Sequence, residues 1–332
     1  MTFLNNLDLI RAFDGLPLVV LGDLVADEYI HGITSRISRE APVLIVAERW
    51  REVRCGAAAN VVANLRALGA RPRPVGLVGD DESGRALQKA FVDQGIDCDG
   101  VMVEAGRFTT TKTRVLAGGR HTVRQQMLRI DRLNSLPIAG SDQELLLGRL
   151  AKALEGASAL VVSDYDEGVL DGPVLERVFE LAHEAALPIF VDSRFRIETY
   201  RGVSTLTPNE PELERAWGQE IRSKSDLEKA GRWLLENSDV GSVLLKRGRR
   251  GMCLFERELP TVAVPAFGSE EVADVTGAGD TVLATWSLAR AAGGKAEQAL
   301  ELANIAGGLQ VTKVGTAVVK QEELLSAHGG QV

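Results

Sequence analysis

The chain has 332 residues, of which 45% are hydrophobic and 25% are charged, and its net charge is −8. This is an ordinary globular composition, and the acidic balance disfavours a nucleic-acid partner, because a surface that follows phosphates needs clustered Lys and Arg. No apolar run approaches the ~18 residues of a membrane span, and the N-terminal MTFLNNLDLIRAFDG is unlike a signal peptide. The three widely spaced cysteines indicate reduced thiols. We therefore expect a cytoplasmic protein without nucleic-acid or membrane partners.

Short, almost wholly apolar runs alternate along the chain with stretches of helical period. The predicted strands are residues 16–22, 74–79, 159–164, 187–192, 203–208 and 242–246. The predicted helices are residues 57–69, 83–95, 141–156, 173–186, 210–218 and 225–237, with one more after residue 280. Strands that are apolar on both faces are typical of a parallel sheet covered by helices, so we predict an α/β, doubly wound fold.

Two segments, about 28–53 and 101–131, interrupt this rhythm. Both are rich in Thr, Val and Arg, and neither has a strong helical period. We predict that they leave the main sheet as short strands and form a small accessory sheet. The functional interpretation is a lid over the site, and the structural alternative is a packing or dimer edge.

Polar residues follow several of the predicted strands, namely Asp23, Asp164, Asp192 and Asn209. In open α/β sheets ligands bind outside the carboxyl ends of the strands, so a site at this edge is predicted.

The stretch DVTGAGDT, residues 274–281, suggests a specific chemistry for that site. Small residues at a helix start let a phosphate approach free backbone N–H groups, and Asp280 is placed to take a proton from an attacking hydroxyl. The alternative is a tight turn with Asp280 as a capping residue. A dinucleotide fingerprint would need Gly or Ala at position 282, where Val282 stands.

Together these motifs resemble the ribokinase-like (PfkB-type) carbohydrate kinases along nearly the whole chain. DVTGAGDT resembles their C-terminal signature, CGAAANVVANLRALG (55–69) their N-terminal one, and VGLVGDDESG (75–84) the strand and turn that follow. Within the family the chain is most similar to the kinases of D-glycero-β-D-manno-heptose 7-phosphate in ADP-heptose synthesis. The segments that carry this similarity are TSRISREAPV (34–43), TTTKTRV (109–115), LRID (128–131), VVSDY (161–165), LTPNEPELE (206–214) and KVGTAVV (313–319).

The resemblance implies one ribokinase-like domain over residues 1–332, a three-layer αβα fold with a central, mostly parallel sheet and a small β-sheet lid. It implies transfer of the γ-phosphoryl group of ATP to a sugar hydroxyl. The acceptor hydroxyl that the resemblance implies is O1 of the heptose 7-phosphate. The cations that it implies are Mg²⁺ and also K⁺. A homodimer through the lid is expected. The heptose enzymes are often fused to a nucleotidyltransferase domain; the sequence ends at Val332, so we expect a separate protein for adenylylation.

Site residues follow from the resemblance, position by position. The catalytic residues implied are the base Asp280 and an anion hole of Gly277, Ala278 and Gly279. The sugar-binding residues implied are Asp23, Asp27, Gly56 and Asn60, with Arg36, Lys112, Arg114 and Arg129 of the lid for the sugar's own phosphate. The nucleotide-binding residues implied are Asn209, Arg194, Lys246, Gly248, Gly251, Asn304 and Gly308. Glu212 is expected to hold Mg²⁺ through water, and Asp274 and Thr276 a monovalent cation.

Each group also has a structural interpretation. Asn209 could be a helix N-cap and Asp23 a loop cap, Asn60 could lie on a helix surface, and the basic lid residues could form an ordinary polar strand face.

The chain also departs from the family pattern. Ala57 stands at the second glycine of the N-terminal signature, and Asp166 and Glu167 follow Tyr165 where the heptose kinases carry a lysine. Arg120 and Arg124 are expected to compensate for these acids. Three alternatives therefore remain open: a kinase for another sugar, sugar phosphate or nucleoside, a non-catalytic sugar or nucleotide sensor, and a dinucleotide-dependent oxidoreductase.

Overall fold

A computed structural model of the protein describes residues 4–119, 124–134, 136–138, 140–268 and 273–329. Its strands are β1 (Pro17–Gly22), β2 (Leu24–Ile37), β3 (Leu44–Ala57), β4 (Arg71–Gly79), β5 (Val101–Glu104), β6 (Thr111–Gly118), β7 (Gln125–Arg132), β8 (Ala159–Asp164), β9 (Ile189–Ser193), β10 (Thr205–Leu206), β11 (Ser242–Lys246), β12 (Met252–Glu256) and β13 (Val262–Val264). Its helices are α1 (Asn6–Arg11), α2 (Ala58–Ala67), α3 (Glu82–Asp93), α4 (Gly140–Leu154), α5 (Gly172–Glu184), α6 (Glu210–Trp217), α7 (Lys224–Asn237), α8 (Ala278–Ala291), α9 (Ala296–Gln310) and α10 (Gln321–Gly329).

Nine strands form the main sheet in the order β13-β12-β11-β10-β9-β8-β1-β4-β5. The strands from β11 to β5 run parallel, and β12 and β13 are antiparallel additions at one edge. Along β1, Leu18 and Val20 belong to the core on one face, and Val19 and Leu21 to the core on the other. Helices therefore cover both faces, which explains the continuous apolar runs and confirms the predicted doubly wound α/β class.

Strand order reverses beside β1, and this reversal places the functional site. The chain passes from β1 through the small sheet to β4 and β5, and then returns to add β8 on the other side of β1. A crevice opens at the carboxyl ends of the strands at such a switch point. Asp23 follows β1 directly, and Asp164 ends β8.

The small sheet has the order β3-β2-β6-β7, which confirms an accessory sheet from the two irregular segments. One predicted boundary is wrong, because Val101–Glu104 pairs in parallel with β4 as an edge strand of the main sheet, and the accessory strand begins at Thr111. An edge strand of the main sheet and a strand of the accessory sheet both alternate apolar and polar residues, so periodicity alone does not distinguish the two. The first segment is also longer than expected, since β2 starts at Leu24 and β3 ends at Ala57.

Several elements were not predicted from the sequence, namely β12, β13, α1, α9 and α10. Helices α8 and α9 pack against the face that includes α2, with Trp286 and Leu302 fully buried. None of the helices in the described part of the chain is both long and apolar enough to cross a membrane.

Candidate active site

Two cavities open at the carboxyl edge of the main sheet and share part of their lining. Their volumes are about 490 and 500 Å³. Lys246, Gly248, Val275 and Gly279 line both of them. The GAG segment expected to hold a phosphate therefore lies at the junction of the two cavities.

The small sheet (β3-β2-β6-β7) is here called the lid. The first cavity, here the polar chamber, is bounded by the lid and the ends of β8, β9 and β11. Its acidic lining residues are Asp27, Asp164, Asp192, Glu212 and Asp280, and its basic ones are Lys112, Arg114, Arg129, Arg194 and Lys246. A chamber with both signs of charge suits a ligand that carries hydroxyl groups and an anionic group.

The second cavity, here the apolar chamber, lies between β12 and α9. Met252, Phe267, Val282 and Val311 give it an apolar lining, with Asn304, Gly307 and Gly308 on the α9 side. A Cβ atom at Gly308 would lie 2.3 Å from the Phe267 carbonyl oxygen, so a side chain there would displace this wall. An apolar slot with few polar groups suits the ring of a nucleoside.

The predicted anion site lies at the start of α8. Gly277 is the N-cap, with φ +81°, and a Cβ atom there would lie 2.6 Å from Asn60 Nδ2, so glycine is required. Within the described residues, the backbone N–H groups of Gly279 and Asp280 donate to no acceptor, and that of Ala278 reaches Val275 O at 3.3 Å. Free N–H groups at a helix N-terminus attract an anion.

Asp280 lies in the first turn of α8 and is 3% exposed. Asn60 Nδ2 donates to its Oδ2 at 2.8 Å, and Tyr165 Oη donates to its Oδ1 at 3.0 Å. Burial, aided by the charge of Asp192, raises the pKa of Asp280 to about 7, against the two hydrogen bonds and Lys246. A carboxyl group with such a pKa is suited to accept a proton near neutral pH.

The predicted magnesium pair forms a capping box at the start of α6. Asn209 Oδ1 accepts from Glu212 N at 2.9 Å, and Glu212 Oε2 accepts from Asn209 N at 2.7 Å. Asn209 is thus a helix N-cap, as the structural alternative predicted. Both residues also line the polar chamber. Burial raises the pKa of Glu212. Among the described residues no cluster of three or more His, Cys, Asp or Glu side chains is placed to hold a metal.

Lys246 and Asp192 form an ion pair at the boundary of the two chambers. Lys246 Nζ lies 2.8 Å from Asp192 Oδ1, which also accepts from Thr207 Oγ1 at 3.1 Å. A Cβ atom at Gly279 would lie 3.3 Å from Lys246 Nζ, so the ammonium group approaches the anion-binding turn closely. Lys246 is thereby placed to contact an anion held at that turn.

The lid contributes most of the positive charge. Arg114 Nη1 lies 2.6 Å from Asp27 Oδ1, and both side chains are buried. A Cβ atom at Gly56 would lie 2.8 Å from Asp27 Oδ2, so Gly56 makes room for this pair. Lys112 lies over the ring of Tyr165, 5.0 Å from its centroid, and no carboxylate of the described residues is within salt-bridge distance of it.

Not all the expected sugar-binding residues line the polar chamber. Arg36 is exposed towards the far end of β2, outside both chambers. Asp23 is buried and does not line the polar chamber. Its Oδ2 accepts from Tyr165 N at 2.7 Å, and its Oδ1 has no partner among the described residues. Burial raises the pKa of Asp23 to about 7. Asn60 is also fully buried, and its side-chain amide contacts Asp280.

The expected nucleotide-side residues lie around both chambers. Lys246 and Gly248 line both, Gly251, Asn304 and Gly308 only the apolar one, and Arg194 and Asn209 only the polar one. A Cβ atom at Gly251, where φ is +79°, would meet the Val264 carbonyl. Thr316, in the loop after α9, also lines the polar chamber.

The predicted cation loop is tied by hydrogen bonds. Asp274 Oδ1 accepts from Thr276 N at 2.9 Å and from Thr276 Oγ1 at 2.7 Å, and its Oδ2 accepts from Gly315 N at 3.0 Å. The Thr276 carbonyl accepts from Gln310 Nε2 at 2.6 Å. These bonds fix the turn before the anion-binding residues, and the cation site stays a prediction.

The two unexpected acids do not enter either chamber. Asp166 is exposed and lies 3.4 Å from Arg196 Nε. Glu167 is buried, where its Oε2 accepts from Thr110 Oγ1 at 3.3 Å and Asn134 N at 3.2 Å. Neither therefore opposes an anionic ligand directly. Of the two arginines expected to compensate, Arg124 lies over Trp50, and Arg120 is outside the described residues.

Sequence reasoning missed the hydroxyl of Tyr165, which contacts Asp280. The only available signal was its place after a predicted strand. Tyr165 and Asp280 are 115 residues apart in the sequence, and only the tertiary fold brings them together. The basic turn residues Arg247 and Arg249, which line the apolar chamber, were also missed.

Known proteins resemble this chain along most of its length. The model of the pfkB family carbohydrate kinases matches residues 18–323. "Bifunctional protein HldE" of Geobacter metallireducens is 42% identical over 314 residues, covering 94% of this chain and 63% of that protein. The chain thus spans less than two thirds of this longer relative.

Solved structures share the fold. The structure of Arabidopsis thaliana ribokinase complexed with ribose and ATP has a TM-score of 0.72 at 22% identity, covering 94% of this chain and 98% of that one. Phosphofructokinase-2 from Escherichia coli in complex with substrates and products has a TM-score of 0.77 at 16% identity, covering 95% and 99%.

Proposed function

The chain belongs to the pfkB family of carbohydrate kinases, and we propose that it transfers the γ-phosphoryl group of Mg·ATP to O1 of D-glycero-β-D-manno-heptose 7-phosphate. The observation that carries this proposal is the junction of the two chambers. The free N–H groups of residues 279 and 280 lie where the chambers meet, beside the Asp280 carboxylate.

In the proposed reaction each residue has a defined task. Asp280 takes the proton of the acceptor hydroxyl, and the hydroxyl oxygen attacks the γ-phosphorus from the polar chamber. The N–H groups at the start of α8 and Lys246 stabilise the charge on the moving phosphoryl group. Glu212 would hold Mg²⁺ through water, and the ion would neutralise charge on the phosphates.

The basic lid residues favour an acceptor that already carries a phosphate. Lys112, Arg114 and Arg129 face the polar chamber, and Arg194 faces it from the end of β9. Lys112 is 7% exposed, and burial lowers its pKa. A buried cation without a carboxylate partner is costly unless it serves a ligand, and a sugar phosphate would supply the missing charge.

A panel of acceptors tests the substrate. ADP release is measured with heptose 7-phosphate, fructose 6-phosphate, ribose and adenosine side by side, and the product is located by ³¹P NMR. We expect turnover to be fastest with the heptose phosphate and the new phosphate to be on O1. Faster turnover with ribose or adenosine would reject the proposed acceptor, and ATP binding without turnover on any sugar would favour a sensor.

The phosphate contact is tested by Lys112→Met with Arg39→Met as the matched control. Arg39 is an exposed basic residue of the lid that lines neither chamber. Loss of one charge-assisted hydrogen bond, about 1.5–3 kcal/mol, should raise the KM for the heptose phosphate roughly tenfold or more in Lys112→Met only. Equal KM values in both variants would exclude Lys112 as the phosphate ligand.

We further propose a cytoplasmic homodimer formed through the lid. Strand β7 is exposed along its whole length, including Leu128 and Ile130 at 54% each, and it is an edge strand of the small sheet. Such an edge is normally covered or charged, and a second copy would cover it. Light scattering should give a dimer for the native chain and a monomer for Ile130→Lys. A monomeric native chain would contradict this part of the proposal.

A further inference from the structure

We propose that Tyr165 is a positioning residue that holds the carboxylate of Asp280 in the orientation needed to accept the substrate proton. This inference rests on the proposed function. It concerns a hydroxyl group that touches the base, at the end of β8.

The two hydrogen bonds to Asp280 come from opposite sides of its carboxylate. Tyr165 Oη donates to Oδ1 at 3.0 Å, and Asn60 Nδ2 donates to Oδ2 at 2.8 Å. One donor on each oxygen fixes the rotation of the carboxylate plane. Since each oxygen has two acceptor positions, one position on each remains for the acceptor hydroxyl. Without the Tyr165 bond only one oxygen would be fixed.

The Tyr165 side chain is itself held from several directions. Its backbone N–H donates to Asp23 Oδ2 at 2.7 Å. Its ring contacts Lys112, at 5.0 Å from the ring centroid, and Arg194, at 5.9 Å. The hydroxyl therefore has a set direction before substrate binds, which is what a preorganised site requires.

The phenol acts only as a donor in this arrangement. Burial, with the charges of Asp280 and Asp192, raises the pKa of Tyr165 well above its ordinary value. It therefore keeps its proton and does not compete with Asp280 for that of the substrate. The charged groups that face Asp280 from the neighbouring elements are Asp192 on β9 and Lys246 on β11.

The proton and electron balance of the step is complete with these groups. The O–H bond of the acceptor breaks, and its proton goes to the free position on an Asp280 oxygen. The acceptor oxygen forms a bond to the γ-phosphorus, and the bond from that phosphorus to the bridging oxygen breaks. ADP leaves with that electron pair, and Tyr165 Oη keeps its own proton throughout.

The test is Tyr165→Phe, which removes the hydroxyl and keeps the ring that contacts Lys112 and Arg194. The matched control is Tyr200→Phe. Tyr200 is also fully buried and donates its hydroxyl to a carboxylate at 2.7 Å, but the acceptor is Asp164. Both variants lose one buried phenol hydroxyl, and only one of them loses a bond to the base.

We expect kcat of Tyr165→Phe to fall roughly 10- to 100-fold, with the KM values for ATP and acceptor within about twofold of the native ones. Tyr200→Phe should lose stability and keep kcat within about threefold per folded molecule. Circular dichroism at the assay temperature gives the folded fraction.

Three results would overturn the inference: an unchanged kcat in Tyr165→Phe, a loss confined to the KM for the acceptor, or an equal loss of kcat in both variants. These are distinct from failure of the proposed function. If the native chain phosphorylates no sugar, the kinase reaction itself is rejected. If the native chain is active and Tyr165→Phe is equally active, only the role of Tyr165 is rejected.

Discussion

Asp280 has surroundings that shift its pKa in opposite directions. It is buried, it lies near the Asp192 carboxylate, and it accepts two hydrogen bonds that favour its ionised form. Burial dominates, and the pKa of about 7 is the result. A group with this pKa binds a proton from substrate and releases it to water at neutral pH, which is the property required of a general base.

Replacement of this carboxyl group should remove proton transfer without removing substrate binding. We expect Asp280→Asn to lower kcat by on the order of 10²–10⁴ with little change in the KM for ATP. For the native chain, kcat/KM should rise with pH up to about 7 and then level off, because only the ionised Asp280 accepts a proton. Steady-state kinetics between pH 5 and 9 measure both. Full activity of a folded Asp280→Asn would remove the assignment.

The same substitution should stabilise the fold at alkaline pH. The pKa of Asp280 rises from 3.8 in the unfolded chain to about 7 in the folded one, so its ionisation costs stability as pH rises through that interval. Asp280→Asn should therefore raise the free energy of unfolding at pH 8 by on the order of 1–4 kcal/mol, and by much less at pH 4. Urea unfolding at both pH values gives the difference. A gain of equal size at both would show that the charge is not its cause.

Ala57 is a second residue whose conformation carries a cost. It has φ 51° and ψ −129°, a region that favours glycine, directly before α2. Ala57→Gly should raise the free energy of unfolding by about 1 kcal/mol, because the released strain exceeds the added entropy of the unfolded chain. Ala59→Gly, inside α2, is the control and should lower it by about 1 kcal/mol. Loss of stability in both variants would contradict strain at Ala57.

Among the elements, strand β2 of the lid contributes Asp27 to the polar chamber and also contacts the segment at residues 315 and 316. Asp27 and Tyr29 of β2 lie on one face of the small sheet, with Arg114 of β6 beside them. The Tyr29 hydroxyl accepts from Thr316 N at 3.2 Å, and Gly315 N donates to Asp274 in the loop before α8. The lid is therefore linked through residues 315 and 316 to the loop that leads into the predicted anion-binding turn.

Gly315→Ala tests this link. At Gly315, where φ is +72°, a Cβ atom would lie 2.7 Å from Tyr29 Oη. At Gly293, where φ is +89°, a Cβ atom would meet nothing within 4 Å. Gly293→Ala should cost about 1 kcal/mol from backbone strain alone, and Gly315→Ala roughly 2–4 kcal/mol, with a raised KM for the acceptor. Equal costs and unchanged KM values would show that the lid contact is unimportant.

At the scale of the whole molecule, the switch point determines the arrangement of the site. Strands β1, β8, β9 and β11 end at one edge, and α8 begins there, so residues from distant parts of the chain face the same chambers. The apolar chamber needs no movement of the lid to be formed, since it lies between β12 and α9. Nucleotide binding should therefore be measurable without sugar.

A thermal-shift experiment tests this expectation. A non-hydrolysable ATP analogue at a hundred times its Kd should stabilise the chain by about 2.7 kcal/mol, because it binds only the folded state. NADPH at the same concentration should give no shift, since the turn at residues 277–282 lacks the dinucleotide spacing. Stabilisation by NADPH and not by the analogue would favour an oxidoreductase.

Sequence by itself determined the layered α/β class, the small-residue turn before α8 and the accessory sheet, because these depend on local periodicity and on residue types at fixed spacing. It also singled out Asp280, since a carboxylate directly after a small-residue turn is locally unusual.

Only the tertiary structure decided which polar residues meet. Val101–Glu104 joins the main sheet and not the lid, Arg36 lies outside the chambers, and Glu167 is turned away from them. Tyr165 reaches Asp280 only because β8 returns beside β1. Such long-range pairings depend on strand order and side-chain packing, which leave no periodic signal in the chain.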